Sequence, residues 1–173
     1  AFTQKQGTPP YIWNDTGANG WFNNNLILKN ILIDGTQGGY GIKCVGDNVT
    51  IDGLQCSNFS AYGIILGDSS YSGLGNYRVS NYYTEAFPIT GKSVYMYGSG
   101  AIFENIDICG DSTLAMELVN SKASMYNLKS NASVTTYLEA NNSQVEINGR
   151  ISGTIISVYS VSNNGYVTMP NQE

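Results

Sequence analysis

This chain of 173 residues contains no histidine. That absence removes Ser–His–Asp and Cys–His nucleophilic machines, histidine-ligated metals and histidine general bases together. Charged residues make up 12% of the sequence, about half the usual share for a globular domain. The net charge is −5 and no basic run occurs, which argues against nucleic acid and anionic membranes as partners. Apolar runs fall well short of the ~18 residues a spanning helix needs, so no membrane insertion is expected. The opening residues, AFTQKQ, lack the apolar core of a signal peptide, so none is expected there. Cysteine is scarce: Cys44, Cys56 and Cys109 are an odd number without a close CxxC pair. Neither a disulfide framework nor a zinc site is expected, and no metal or cofactor site is visible.

Glycine, asparagine, serine and tyrosine take the place of charge, with 20 Gly and 13 Tyr. This is the profile of a turn-rich β protein whose surface is polar through hydroxyls and amides. Residues 49–56 (VTIDGLQC) recur in altered form about every two dozen residues, at 26–33, 77–84, 101–108, 123–130 and, less cleanly, 145–152. Positions one, three and six of the first five copies are mainly apolar. Position five is Asn30, Gly53, Asn81, Asn105 or Asn127. Asn and Gly tolerate a left-handed backbone, so the pattern reads as strand, sharp bend and strand once per repeat. A second strand follows in each repeat: Gly39-Tyr40-Gly41-Ile42 returns as Ala61-Tyr62-Gly63-Ile64. Short strands and bends at fixed period predict the coils of a parallel β-solenoid. Residues 113–121 have helical propensity, but Leu114, Met116 and Leu118 alternate strictly, so a strand is predicted.

The expected organisation is an irregular lead-in or cap at 1–24, a solenoid at 25–169 and a tail at 170–173. Cys44 and Cys56 fall at inward positions and are expected to be buried free thiols. Five N-x-Ser/Thr sequons start at Asn14, Asn48, Asn58, Asn131 and Asn141, and are read as accidents of an Asn/Ser/Thr-rich composition.

The spacing Asn25-x-x-x-Lys29-Asn30-x-x-Ile33-Asp34-Gly35, then Tyr40-Gly41-Ile42, then Asn48-Val49-Thr50-Ile51, resembles the repeats of the pectate-lyase-like superfamily. The resemblance covers residues 25–169 and implies an all-β, right-handed, single-stranded parallel β-helix of about six to seven coils. The asparagine at each bend is similar to the asparagine ladder of that group. Within the superfamily, the His-free, Tyr/Asn/Gly-rich character is most similar to bacteriophage tailspikes and tail appendages. This implies a homotrimer on the virion tail that recognises bacterial surface polysaccharide. No calcium carboxylate cluster or catalytic Arg motif of the pectate lyases can be matched. The alternatives are a polysaccharide depolymerase, either hydrolase or lyase, using Asp/Glu on the wall or between subunits, and a structural shaft.

Outward positions of stacked coils form columns ~4.8 Å apart. One column reads Lys29, Asp52, Ser80, Glu104, Tyr126, Asn148, and another reads Asp34, Ser57, Glu85, Cys109. Asp52 with Glu104, and Asp34 with Glu85, would each stand on the order of 10 Å apart, at the far edge for an inverting glycosidase. The period is broken by excursions at 68–76 and 85–93. Insertions on a rigid scaffold are where function concentrates, so these are expected to gather tyrosines, carboxylates and Lys92 in one neighbourhood. Tyr62, Tyr71, Tyr82, Tyr83 and Lys92 are the candidate carbohydrate contacts, and Glu85 with Asp68 the candidate catalytic carboxylates. Tyr82 has a second reading, because it occupies an inward slot equivalent to Leu54.

Overall fold

In the computed structural model the chain enters the left-handed region once per turn at one corner. Asn30 (φ 52°), Gly53 (71°), Asn81 (52°), Asn105 (56°), Asn127 (56°) and Gly149 (72°) all do so. Left-handed asparagine is tolerated because its short amide bonds locally. Here the amides also bond from rung to rung: Asn105 Nδ2 donates to Asn81 Oδ1 at 3.1 Å, and Asn127 Nδ2 to Asn105 Oδ1 at 3.1 Å. The ladder runs down to Asp52, whose Oδ1 accepts from Asn81 Nδ2 at 2.8 Å. The residues described are 2–3, 12–14, 25–34, 40–59, 61–67, 69, 75–85, 91–109 and 112–171.

All thirteen strands of this description belong to one parallel sheet wound on itself. One series comprises β1 (Phe2–Thr3), β3 (Ile27–Asp34), β5 (Val49–Ser57), β7 (Asn76–Glu85) and β9 (Gly100–Cys109). The other comprises β2 (Ile12–Asn14), β4 (Tyr40–Cys44), β6 (Tyr62–Leu66), β8 (Lys92–Tyr97) and β10 (Ser112–Val119). Two long strands, β11 (Lys122–Asn141) and β12 (Gln144–Ser162), each run through both series, and β13 (Tyr166–Asn171) pairs with the start of β12. We refer to the two series as the bent wall and the short wall. The solenoid makes about five turns, slightly fewer than the six to seven expected, since β1, β2 and β13 supply only fragments of a turn. Residues 113–121 do not form a helix: β10 lies there, paired with β8 and β11. In the lead-in region, β1 and β2 extend the ladder below β3 and β4.

The core consists of inward columns. Ile51, Val79, Phe103, Met125 and Ile147 stack in register on the bent wall, and each is at most 1% exposed. On the short wall Ile42, Ile64, Val94, Met116 and Leu138 do the same. Cys44 and Cys56 are buried free thiols, and burial pushes both up to about 12, so they stay protonated as small hydrophobes. At the last rung the inward columns surface, with Tyr159 37% and Val161 50% exposed.

A second corner, not anticipated from the sequence, joins the short wall to the next bent strand. Gly98, Asn120 and Asn142 are left-handed there, and each is followed by a buried serine. Ser99 N donates to Ser121 Oγ at 3.3 Å, and Ser121 N to Ser143 Oγ at 3.0 Å. The hydroxyls satisfy backbone amides that would be costly to bury unpaired. Outside them, Asn142 Nδ2 donates to Asn120 Oδ1 at 2.7 Å, and Asn120 Nδ2 to Tyr97 Oη at 3.0 Å. The repeat of Gly98-Ser99, Asn120-Ser121 and Asn142-Ser143 was a legible signal for this corner.

Candidate functional site

The carboxylate columns of the bent wall are in the expected register: Lys29, Asp52, Ser80, Glu104, Tyr126 and Asn148 are successive partners. So are Asp34, Ser57, Glu85 and Cys109. The carboxylates of Asp34, Asp52 and Glu104 nonetheless serve the scaffold. Asp52 Oδ1 accepts from Ser80 Oγ at 3.0 Å and from Asn81 Nδ2, and these bonds hold its pKa below the ordinary value. Glu104 pairs with Arg78 at 2.9 Å and Asp107 with Lys129 at 2.8 Å, both partly exposed. Asp34 Oδ1 accepts from Asn58 Nδ2 at 2.9 Å.

The named residues divide among three places. Asp68 and Tyr71 lie outside the described residues. Tyr83 is half-buried on the bent wall, in register with Gln55 and Asp107. Tyr82 is fully buried, with its hydroxyl donating to the Ser93 carbonyl at 2.9 Å. Its inward-slot reading is the one that holds, and as a core residue it is withdrawn from the sugar contacts. Glu85 is the last residue of β7. Gly67, the neighbour of Asp68, sits at the other end of that strand: its N donates to the Cys44 carbonyl at 2.8 Å, as does Tyr77 Oη at 3.1 Å. The chain thus leaves the ladder after Gly67 and after Glu85 at different corners, which lie at opposite ends of β7.

Tyr62 and Lys92 do come together. They are register partners on the short wall, and Lys92 Nζ lies 5.9 Å from the centre of the Tyr62 ring. On the same wall Ser93 and Val94 are both buried, so the strand turns there. Lys92 and Tyr95 therefore share a patch despite their odd spacing. The rings of Tyr62 and Tyr95 are 5.5 Å apart and tilted by 53°. Lys92 also forms a close ion pair with Glu117, the register partner of Tyr95 one rung on. Side-chain exposure is 24% for Lys92 and 17% for Glu117, the most sequestered ion pair described. Glu139 stacks on Glu117 and accepts from Ser162 Oγ at 2.8 Å.

Two tilted rings, an ammonium and two carboxylates on consecutive rungs offer flat apolar faces next to charged hydrogen-bonding groups. Such a surface suits a polyhydroxylated ligand. Tyr95, Glu117 and Glu139 are not among the sequence candidates, which come from the bent wall, the excursions and Tyr62, whereas these three form an outward column of the short wall. The alternation Tyr95, Glu117, Glu139 at 22-residue steps would have revealed them. Among the described residues, no three His, Cys, Asp or Glu side chains are grouped to hold a metal ion, and no helix is long and apolar enough to cross a membrane. Comparison with protein-family models, with curated proteins and with solved structures found no match.

Proposed function

We propose that this solenoid is a receptor-binding domain of the bacteriophage tailspike type, a homotrimer on the virion tail that recognises host surface polysaccharide through its short wall. One observation carries the reading: the Tyr62–Tyr95 ring pair stands beside the Lys92–Glu117 pair on a rigid ladder of parallel strands. Sugar rings pack their C–H faces on aromatic side chains while their hydroxyls bond to charged groups. A partly desolvated ion pair strengthens such bonds relative to water. The resemblance of the repeats to tailspike β-helices supports the same reading, as do the low charge and the hydroxyl-rich surface.

The test is titration of the chain with capsular and O-antigen oligosaccharides, alongside Tyr62→Ala and Tyr95→Ala. Saturable binding that each substitution weakens by about twofold to about tenfold is the expected result, of the size stacking contacts give. Binding unchanged in both variants refutes it. Light scattering tests the trimer, because the chain alone has a mass of 18.7 kDa.

A hydrolytic second reading draws on the stacking of Glu117 and Glu139 on adjacent rungs. Their backbones are ~4.8 Å apart, near the carboxylate separation of retaining glycosidases. New reducing ends during incubation with polysaccharide, lost in Glu139→Gln, would favour it. Unsaturated sugars would indicate a lyase instead.

A further inference from the structure

A shallow groove lies at the serine corner, on the side of the solenoid where the bent strands begin. It consists of two hollows of about 430 and 440 Å³ that share Asn76, Gly100, Lys122 and Gln144. These four and Tyr166 form one column in register. At ~4.8 Å per rung the column is on the order of 20 Å long, which suits an extended ligand better than a compact one.

Three features of this column point to a ligand. Gly100 leaves one rung empty although its position does not demand glycine. A Cβ there would meet nothing nearer than Asn76 Oδ1 at 3.6 Å, and the residue is not among those with positive φ. Next, the polar groups of the groove differ in how they are used. Asn76, Asn120 and Asn142 spend their amides on Asp47 and on the asparagine ladder. Among the described residues, nothing bonds to the Lys122 ammonium or the Gln144 side-chain amide. Finally, Tyr166 closes the column with its side chain 50% exposed. A cation, an amide and an aromatic ring thus stand on consecutive rungs above an open floor. Glu146 also lines the groove, one rung beyond Lys122, so an anionic group on the ligand is favoured on the side of Lys122 that faces the open Gly100 rung, away from that carboxylate.

We propose that this groove binds a carboxylate-bearing glycan, with the acid on Lys122, hydroxyls on Gln144 and a sugar face on Tyr166. The proposal takes from the preceding one only the ligand class, and it lies on another part of the surface. Charge-assisted hydrogen bonds are the stronger kind, so losing one lowers affinity by about tenfold or more.

The experiment titrates the whole chain with oligomers of sialic acid (colominic acid), of hyaluronan and of neutral dextran. At least one carboxylated oligomer is expected to bind, at least about tenfold more tightly than dextran. Lys122→Ala should remove that preference, and Gly100→Tyr should block the groove without straining the backbone. Lys129→Ala, which removes a scaffold cation outside the groove lining, should leave this binding intact, with melting curves confirming that all variants fold. Failure of both acidic oligomers to bind, equal binding of dextran, or an unchanged affinity in Lys122→Ala overturns the proposal. If binding is lost in Tyr62→Ala and kept in Gly100→Tyr, the short-wall site stands and the groove falls.

Discussion

The bent wall and the short wall share one sheet, one period and one core, yet they handle charge in opposite ways. On the bent wall, Arg78–Glu104 and Lys129–Asp107 tie neighbouring rungs together in solvent, with exposures of 54%/39% and 48%/25%. On the short wall, Lys92–Glu117 is sequestered beside two tyrosine rings. The first arrangement is a set of weak surface pairs whose attraction water and salt screen. The second holds charge where desolvation makes each hydrogen bond count for more. A column of alternating charge therefore marks scaffold here, and charge next to rings marks the candidate site.

The largest expected effect tests where the walls meet. Tyr82→Ala should cost about 3–5 kcal/mol in denaturant unfolding, as for other large core side chains. Tyr82→Phe should leave glycan binding unchanged. Loss of binding in the Phe variant would return Tyr82 to the wall. Thiol labelling gives the next contrast. Cys44 and Cys56 are buried with thiols pushed up to about 12, while Cys109 is half-exposed. An aromatic disulfide reagent should modify Cys109 at least about a hundredfold faster than the other two, which react only through opening of the ladder. Comparable rates for all three would mean that the core is not closed.

The comparison of charge itself is sharpened by substitution on each wall. Glu117→Ala should destabilise by about 1–2 kcal/mol, because it strands a half-sequestered ammonium. Glu104→Ala and Lys129→Ala should stay within about 0.5 kcal/mol. Equal costs on the two walls would erase the distinction. The smallest effect is the pH dependence carried by the bent wall and its corner. Asp47 is held low by hydrogen bonds from the backbone and side chain of Asn76, and Asp52 by those from Asn81 and Ser80. Both folded values lie below the unfolded one. Their contribution is therefore full above the ordinary carboxylate pKa of 3.8 and is lost as pH falls through the depressed values. Urea midpoints between about pH 5 and about pH 2 should decline less steeply in Asp52→Ala than in the parent chain.

Much of the architecture was legible beforehand because a period of one coil constrains every position at once. The column from Lys29 to Asn148 could be written from the sequence residue by residue, and so could the stacking of Ile42 and Cys44 beneath Ile64 and Leu66. The last copy was the least clean, and there the register slips between Tyr126 and Leu128. Asn148-Gly149-Arg150 of β12 spans what Tyr126-Asn127 spans in β11. The site was harder to read. Outwardness on the short wall depends on where the strand turns, and the paired burial of Ser93 with Val94 breaks the simple alternation that strand reading relies on.

The sequence by itself determined the solenoid, the left-handed corner at Asn30, Gly53, Asn81, Asn105 and Asn127, and the burial of Cys44 and Cys56. These follow from local preferences repeated at fixed spacing, which need no knowledge of distant contacts. Only the tertiary structure decided that Tyr82 belongs to the core, that Glu85 and the end of β6 lie at opposite ends of β7, and that Lys92 meets Tyr62 and Glu117. Those facts depend on which way each corner turns and on how side chains from different rungs reach across. Linear spacing does not encode that geometry.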